Sequence, residues 1–283
     1  MKIYSIMLVK DEADIVRSVL EDASRWSDKI FVLDNGSIDG TWEIIQSMKN
    51  EVIVPWKQYF GPYHNGLRAD VFKEFSRYSE YSDINNAGRG GVWWCFKLDA
   101  DEFYYDNPRE FLAKVPKKYS LVAKKSLDYV ITEEDVSEYE FTGDFERDKN
   151  HIRCLNKDCW SEPRFFRFRK GLEWKNAPEN HYPPHAGLLC PDYILVKHYQ
   201  YRSPAQMQKR LDIRNASEAK KQGIAFRHVR QAEWRELLEK RSNCVYDDGS
   251  ADTYKALPVR NRLMPPLYKR LAMSFLLKTG VWR

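Results

Sequence analysis

Apolar residues in this chain fall into short runs separated by stretches of helical spacing, and the alternation of the two predicts the fold. Lys2 to Val9 (KIYSIMLV) alternates and then runs apolar, as a first strand. Asp11 reads as the N-cap of a helix reaching about Arg25, with Ile15, Val16, Val19 and Leu20 at helical spacing. Ile30 to Leu33 is a second strand, followed by the turn-rich DNGSIDGT of Asp34 to Thr41. Helical spacing resumes at Trp42, Ile44, Ile45 and Met48, and Val52 to Val54 gives a third strand. The loop from Trp56 to Asp70 leads into a helix holding Val71, Phe72 and Phe75. Strands alternating with helices predict an α/β fold with a parallel, doubly wound sheet.

The remaining segments are less regular. Arg77 to Gly91 is polar and rich in Gly and Asn, an excursion before the next strand, and Ser120 to Ile131 returns to the sheet. Glu133 to Lys149 is acidic and reads as a mobile loop. Ser203-Pro204 is a sound N-cap and N1 pair for a helix continuing to Lys221, and Gln231 to Lys240 is expected to be helical. From Lys255 onward, Leu263, Leu267, Leu271, Phe275 and neighbours interleave with basic residues as an amphipathic tail, split by Pro265 and Pro266.

The strongest chemical signal is Val92 to Glu102, VWWCFKLDADE, an apolar run of strand length that ends in three acids. Ligands of open α/β sheets bind beyond the carboxyl ends of the strands. Asp99 and Asp101 are spaced i, i+2, which on a regular strand puts both carboxylates on one face. Such a pair suits Mg²⁺ or Mn²⁺ shared with substrate phosphates. Asp-x-Asp alone is equally compatible with a solvated turn, and DNGSIDGT with a well-made turn and N-cap.

Three segments together go further. MLVKDEADIV, IFVLDNGSIDGTWEII and FKLDADEF, in this order over roughly residues 3 to 105, resemble the inverting family 2 glycosyltransferases of GT-A fold. Tyr193 to Arg210, containing VKHYQYRSPAQMQKR, resembles the later part of some members; Asp106 to Asp192 carries little likeness. The resemblance implies a mostly parallel, Rossmann-like sheet in a GT-A domain over 1–200, with a donor half (1–105) and an acceptor half (106–200). Residues 201–283 would form a helical C-terminal extension. It further implies metal-dependent, inverting transfer of a sugar from a nucleotide-sugar, a UDP-sugar, to a hydroxyl of a glycan or lipid-linked acceptor, as in surface polysaccharide synthesis.

On the same basis Asp34, Asp39, Arg68 and Asp99 are expected at the donor, with His64 and Asn65 nearby. Asp99, Asp101 and His198 are expected around Mn²⁺ or Mg²⁺, with Glu102 orienting a ligand. Inversion needs a base opposite the leaving group. Trp174 to Pro184 (WKNAPENHYPP) offers Glu179 first and His181 second, with Glu162 as the third choice. Lys197 and Arg202 are basic candidates for phosphate.

Composition bounds the alternatives. The net charge is only +5, but seven Lys or Arg and no acid lie from Lys255 to the end. That tail either packs with its basic side outward or rests on an anionic membrane. No apolar stretch reaches the roughly 18 residues of a membrane span, and no signal peptide precedes the first strand, so a cytoplasmic protein, free or at the inner face of the membrane, is expected. Five scattered cysteines argue against a disulfide framework. No G-x-x-x-x-G-K-[ST] occurs, which disfavours nucleotidyl or phosphoryl transfer, and no nucleic-acid-binding signature is present. A catalytically silent nucleotide-sugar or carbohydrate-binding module is the other reading.

Overall fold

The computed structural model describes residues 1–80, 91–184, 186–226, 229–261, 263 and 266–279. The first half builds β1 (Lys2–Val9), α1 (Val16–Ser24), β2 (Lys29–Asp34), α2 (Thr41–Ser47), β3 (Ile53–Gln58), α3 (Leu67–Phe75) and β4 (Val92–Leu98). These strands pair in parallel in the order β3-β2-β1-β4. β1 is the centre, buried on both faces: Ile3, Met7 and Val9 enter one core, and Tyr4, Ile6 and Leu8 the other. Helix α1 closes the first core with Val16, Val19, Leu20 and Ala23. On the second side, Phe31 stacks on Phe75 of α3 at 4.0 Å. A strand covered on both faces must be apolar throughout, which is why β1 and β4 lose strict alternation.

The second half extends the sheet with mostly antiparallel partners: β5 (Glu102–Tyr104), α4 (Pro108–Lys114), β6 (Leu121–Val130), α5 (Glu133–Glu138), α6 (Phe145–Asp148), β7 (Cys154–Leu155), β8 (Trp160–Arg167) and β9 (Leu189–His198). β8 runs antiparallel to both β4 and β6, and β9 lies parallel to β6 and antiparallel to β5. The class is thus α/β, with a parallel amino-terminal half and a mixed remainder. Then follow α7 (Pro204–Ala216), α8 (Glu218–Lys221), β10 (Val245–Tyr246), α9 (Ala251–Ala256) and α10 (Leu267–Lys278). This last part is not purely helical, since β10 pairs with β7. A third core under it unites Leu127, Tyr129 and Leu195 with Met207, Tyr254 and Leu257.

Four local expectations need correction. Asp11 does not cap α1: it stands at φ 54°, and its carboxylate accepts from the Ile38 amide while its own N–H donates to Ser37. It ties two loops together, and α1 starts five residues later. The acidic segment 133–149 is two short helices, because its acids serve as caps. Thr132 and Asp135 form a capping box, and buried Asp148 accepts from Tyr139, Thr142 and the Gly143 amide. Residues 231–240 form only a 3₁₀ turn over Trp234–Leu237, because the chain then bridges Thr132 through Glu239. The helix opened by Ser203 ends at Ala216, where Ser217 caps a further turn. Residues 81–90 of the expected excursion, and Pro265, lie outside the described residues.

Candidate functional site

The carboxyl ends of β1, β2 and β4 open into a cleft of about 690 Å³, floored by β6 and β8 and walled by α7. The floor arises from strand periodicity. Lys124, Ser126 and Asp128 alternate along β6; Trp160, Glu162 and Arg164 alternate along β8; and Ser126 pairs with Trp160, Lys124 with Glu162. The intervening Leu127, Phe165 and Ala123 go to the cores. Eight Lys or Arg and eight carboxylates line the cleft, so an anionic ligand finds one set of partners and a cation the other.

Asp99, at the end of β4, is surrounded by cations: Arg164 Nη2 at 3.0 Å, Arg68 Nη2 at 3.4 Å and Lys97 Nζ at 3.5 Å. Burial pushes its pKa up, but Lys97, Arg164 and Arg68 outweigh it and hold the carboxyl below the usual range. Arg164 is fully buried and also donates to Glu102 from Nη2 at 2.7 Å, while Lys124 pairs with the same carboxylate. Lys97 donates to Glu162 at 2.6 Å. Against burial, Arg164 and Lys97 keep Glu162 far below the ordinary carboxylate range. Arg68 Nε and Arg210 Nε are buried with no hydrogen-bond partner among the described residues, whereas Arg164 Nη1 lies 3.0 Å from Glu162 Oε2. Such orphaned donors in a charged cleft fit a polyanionic ligand, since a buried N–H without an acceptor is costly.

Asp101 faces a second group. Its Oδ2 lies 3.1 Å from Arg210 Nη2 and 3.5 Å from His198 Nε2. The other imidazole nitrogen, Nδ1, is 2.7 Å from Asp128 Oδ1. Burial lowers the His198 pKa, but Asp101 and Asp128 together raise it to about 9. Burial likewise opposes ionisation of Asp101, and His198, Arg210 and Arg202 hold its pKa well down. Arg210 bridges from Asp101 to Glu12 at 2.9 Å, and Glu12 is raised because burial outweighs its arginines.

Among the described residues no cluster of three or more His, Cys, Asp or Glu gathers as a complete metal shell. A two-ligand site fits the donor chemistry present. A hard carboxylate and an imidazole nitrogen face each other, and Asp128 behind the ring fixes which nitrogen points forward. Divalent ions bound beside phosphates commonly take few protein ligands, and binding one would displace the His198 proton.

The expected site residues divide. Arg68, Asp99, Asp101 and His198 come together in the cleft. Asp34 and Asp39 do not line it, because both serve the loop. Asp34 is buried and accepts from the Gly36 and Ser37 amides, the Ser37 hydroxyl and Gln58. Asp39 accepts from Thr41, the Ala13 amide and Lys209. The cleft is instead lined by the neighbours Asn35 and Gly36. Glu179 and His181 are exposed on a loop docked against α3, where Gly66 admits the Ala177 backbone, and neither lines the cleft. Trp174 is buried in a core. Asn65 braces Arg68, and Lys197 lies among the rings of Tyr105, Tyr129 and Tyr254.

Sequence reasoning missed Lys97, Lys124, Asp128, Trp160, Arg164 and Arg210. The available signal was polar residues at every second position of apolar strands, K-x-S-x-D in Lys124 to Asp128 and W-x-E-x-R in Trp160 to Arg164. Aromatic rings complete the walls: Phe226, at φ 60°, stacks on Tyr63 at 5.4 Å, and Trp160 is 50% exposed. The chain matches no protein-family model, and no curated protein matches it.

Proposed function

We propose that this protein is a metal-dependent, inverting glycosyltransferase of GT-A type, moving a sugar from a nucleotide-sugar, with UDP as the nucleotide, to a hydroxyl of a glycan or lipid-linked acceptor. The observation that carries the reading is the convergence of Asp99 and Asp101, at the end of β4, with three buried or half-buried arginines, Arg68, Arg164 and Arg210, two of which bear unpartnered donors. This supplies what a pyrophosphate leaving group needs: fixed positive charge in a partly water-excluded cleft. Arg68, Lys97 and Arg164 would take the diphosphate, and the ring pair Tyr63–Phe226 offers a face on which a base can stack. Asp101 and His198 would hold Mn²⁺ or Mg²⁺, which when bound supplies Lewis-acid stabilisation of the departing diphosphate.

Trp160 is the acceptor platform in this reading, since an exposed indole at the mouth of a polar cleft suits an apolar sugar face. Glu162, two residues along the same strand face, takes the base role that sequence gave first to Glu179 and His181. In the free protein its basicity is suppressed by Lys97 and Arg164. A bound diphosphate would draw those cations to itself and release Glu162 to accept the acceptor hydroxyl proton.

The test is thermal unfolding with UDP, GDP, CDP and dTDP, each with and without Mn²⁺, for wild type and Asp101→Asn. A ligand at about a hundred times its dissociation constant adds about 2.7 kcal/mol, a shift of several degrees. A shift from one nucleotide that needs the metal and is lost in the variant supports the reading; none with any nucleotide sinks it. The same shift without hydrolysis of any matching nucleotide-sugar would indicate a binding module.

A further inference from the structure

Helix α10 carries a surface that the cleft does not explain. Tyr268, Leu271 and Phe275 are 68, 63 and 65% exposed. They recur at i, i+3 and i+7 and so form one stripe along the helix. Ala272 and Thr279 are exposed in the same stripe, whereas Arg270, Met273 and Leu276 on the other side are partly covered. Tyr268, Leu271 and Phe275 are therefore not on the packing face of this helix. Neighbouring exposed apolar groups of this size mark a contact surface.

Charge narrows what that contact is. Residues 255–283 hold seven Lys or Arg and no Asp or Glu; Arg260 pairs with Asp158 at 2.7 Å, and Lys269 is exposed on the flank of the helix next to Leu276. The partner must be apolar and anionic at once. A second copy of the helix would oppose like charges. An anionic bilayer surface satisfies both demands, because apolar side chains enter the headgroup boundary while cations remain at the phosphates. No helix among the described residues is long and apolar enough to cross a membrane, so α10 would lie in the interface.

We propose that α10 docks the protein on an anionic membrane surface through Tyr268, Leu271 and Phe275. The inference stands independently of the sugar-transfer reading. Its test is co-sedimentation of the full chain with vesicles of phosphatidylcholine and phosphatidylglycerol in equal parts, against phosphatidylcholine alone. Wild type should bind the anionic vesicles, and Leu271→Glu/Phe275→Glu should bind about tenfold less or weaker still, with its melting temperature unchanged. Lys269→Gln should weaken binding roughly fivefold at low salt, and added salt should weaken the wild type. Absence of vesicle binding, or equal binding by the double variant, overturns the proposal. So does self-association of wild type that the double variant abolishes while neither protein binds vesicles; the stripe would then be a subunit interface.

Discussion

The guanidinium of Arg202 forks onto the carboxylate of Asp14, 188 positions earlier in the chain, with Nε and Nη2 at 2.7 and 2.9 Å from its two oxygens. Nη2 also reaches Glu12 at 2.5 Å, and Nη1 donates to the Tyr199 carbonyl. The segment after β9 is thereby stitched to the first βα loop, and α7 is delivered to the cleft with Gln206, Lys209, Arg210 and Arg214 in its wall. Arg202→Ala would leave the half-buried Asp14 without its counter-charge and Glu12 with Arg210 alone, and should cost about 3 kcal/mol. Arg202→Lys should recover only part of this, because an ammonium cannot fork. Urea unfolding of the three proteins decides it; equal midpoints would mean the fork contributes nothing to stability.

Asp128 should matter to metal binding without touching the ion. Its hydrogen bond to His198 Nδ1 sets the ring so that Nε2 faces Asp101. Asp128→Asn is expected to weaken Mn²⁺ binding, measured by calorimetry in the presence of a nucleoside diphosphate, by about 10–100-fold. Unchanged affinity would remove His198 from the metal shell.

Trp160 tests the acceptor side. Because its side chain is half exposed, Trp160→Ala should cost no more than about 2 kcal/mol and leave the protein folded. Under the proposed function, kcat/KM for the acceptor should fall while hydrolysis of the nucleotide-sugar by water continues. Loss of both activities together would place Trp160 at the donor.

Asp28 predicts a pH dependence remote from the cleft. Burial raises its pKa, but Lys2 at 2.8 Å, the Ile3 amide and Arg109 more than offset this and hold it below 3.8. A folded value below the unfolded one gives stability that is present above 3.8 and lost as pH falls through the lower, folded value. Asp28→Asn should therefore be less stable than wild type at neutral pH. The gap should close on acidification below 3.8, as followed by denaturant midpoints against pH. A gap constant with pH would contradict the assignment.

The parallel half of the sheet was legible because β1, β2 and β4 are largely apolar runs bounded by turn residues; the edge strand β3 runs on past its expected end at Val54 through Lys57 and Gln58, where half-burial removes the apolar signal. Elsewhere short polar motifs have two uses, and sequence alone does not choose between them. Asp34 and Asp39 read as ligands or as turn residues, and backbone amides of their own loop donate to both. Glu133, Glu134 and Asp135 look like a solvated run, yet Thr132 and Asp135 build a cap. Arg210 could not be singled out at all: its pairing with Glu12 and Asp101 spans 198 and 109 residues, and local periodicity carries no trace of such distances.

Finally, β6 shifts register at Ala123 against both of its long neighbours, after Val122 with β8 and after Leu121 with β9. Beyond that irregularity Lys124, Ser126 and Asp128 face the cleft, while Leu127 and Tyr129 face the third core. A strand has only two faces, so losing one residue there would exchange the two sets. Tolerance to length change at this point should be nil in both directions: the deletion that exposed Leu127 would also bury Asp128. Variants are expected to change the side chains of β6 outside Lys124 and Asp128 more readily than its residue count.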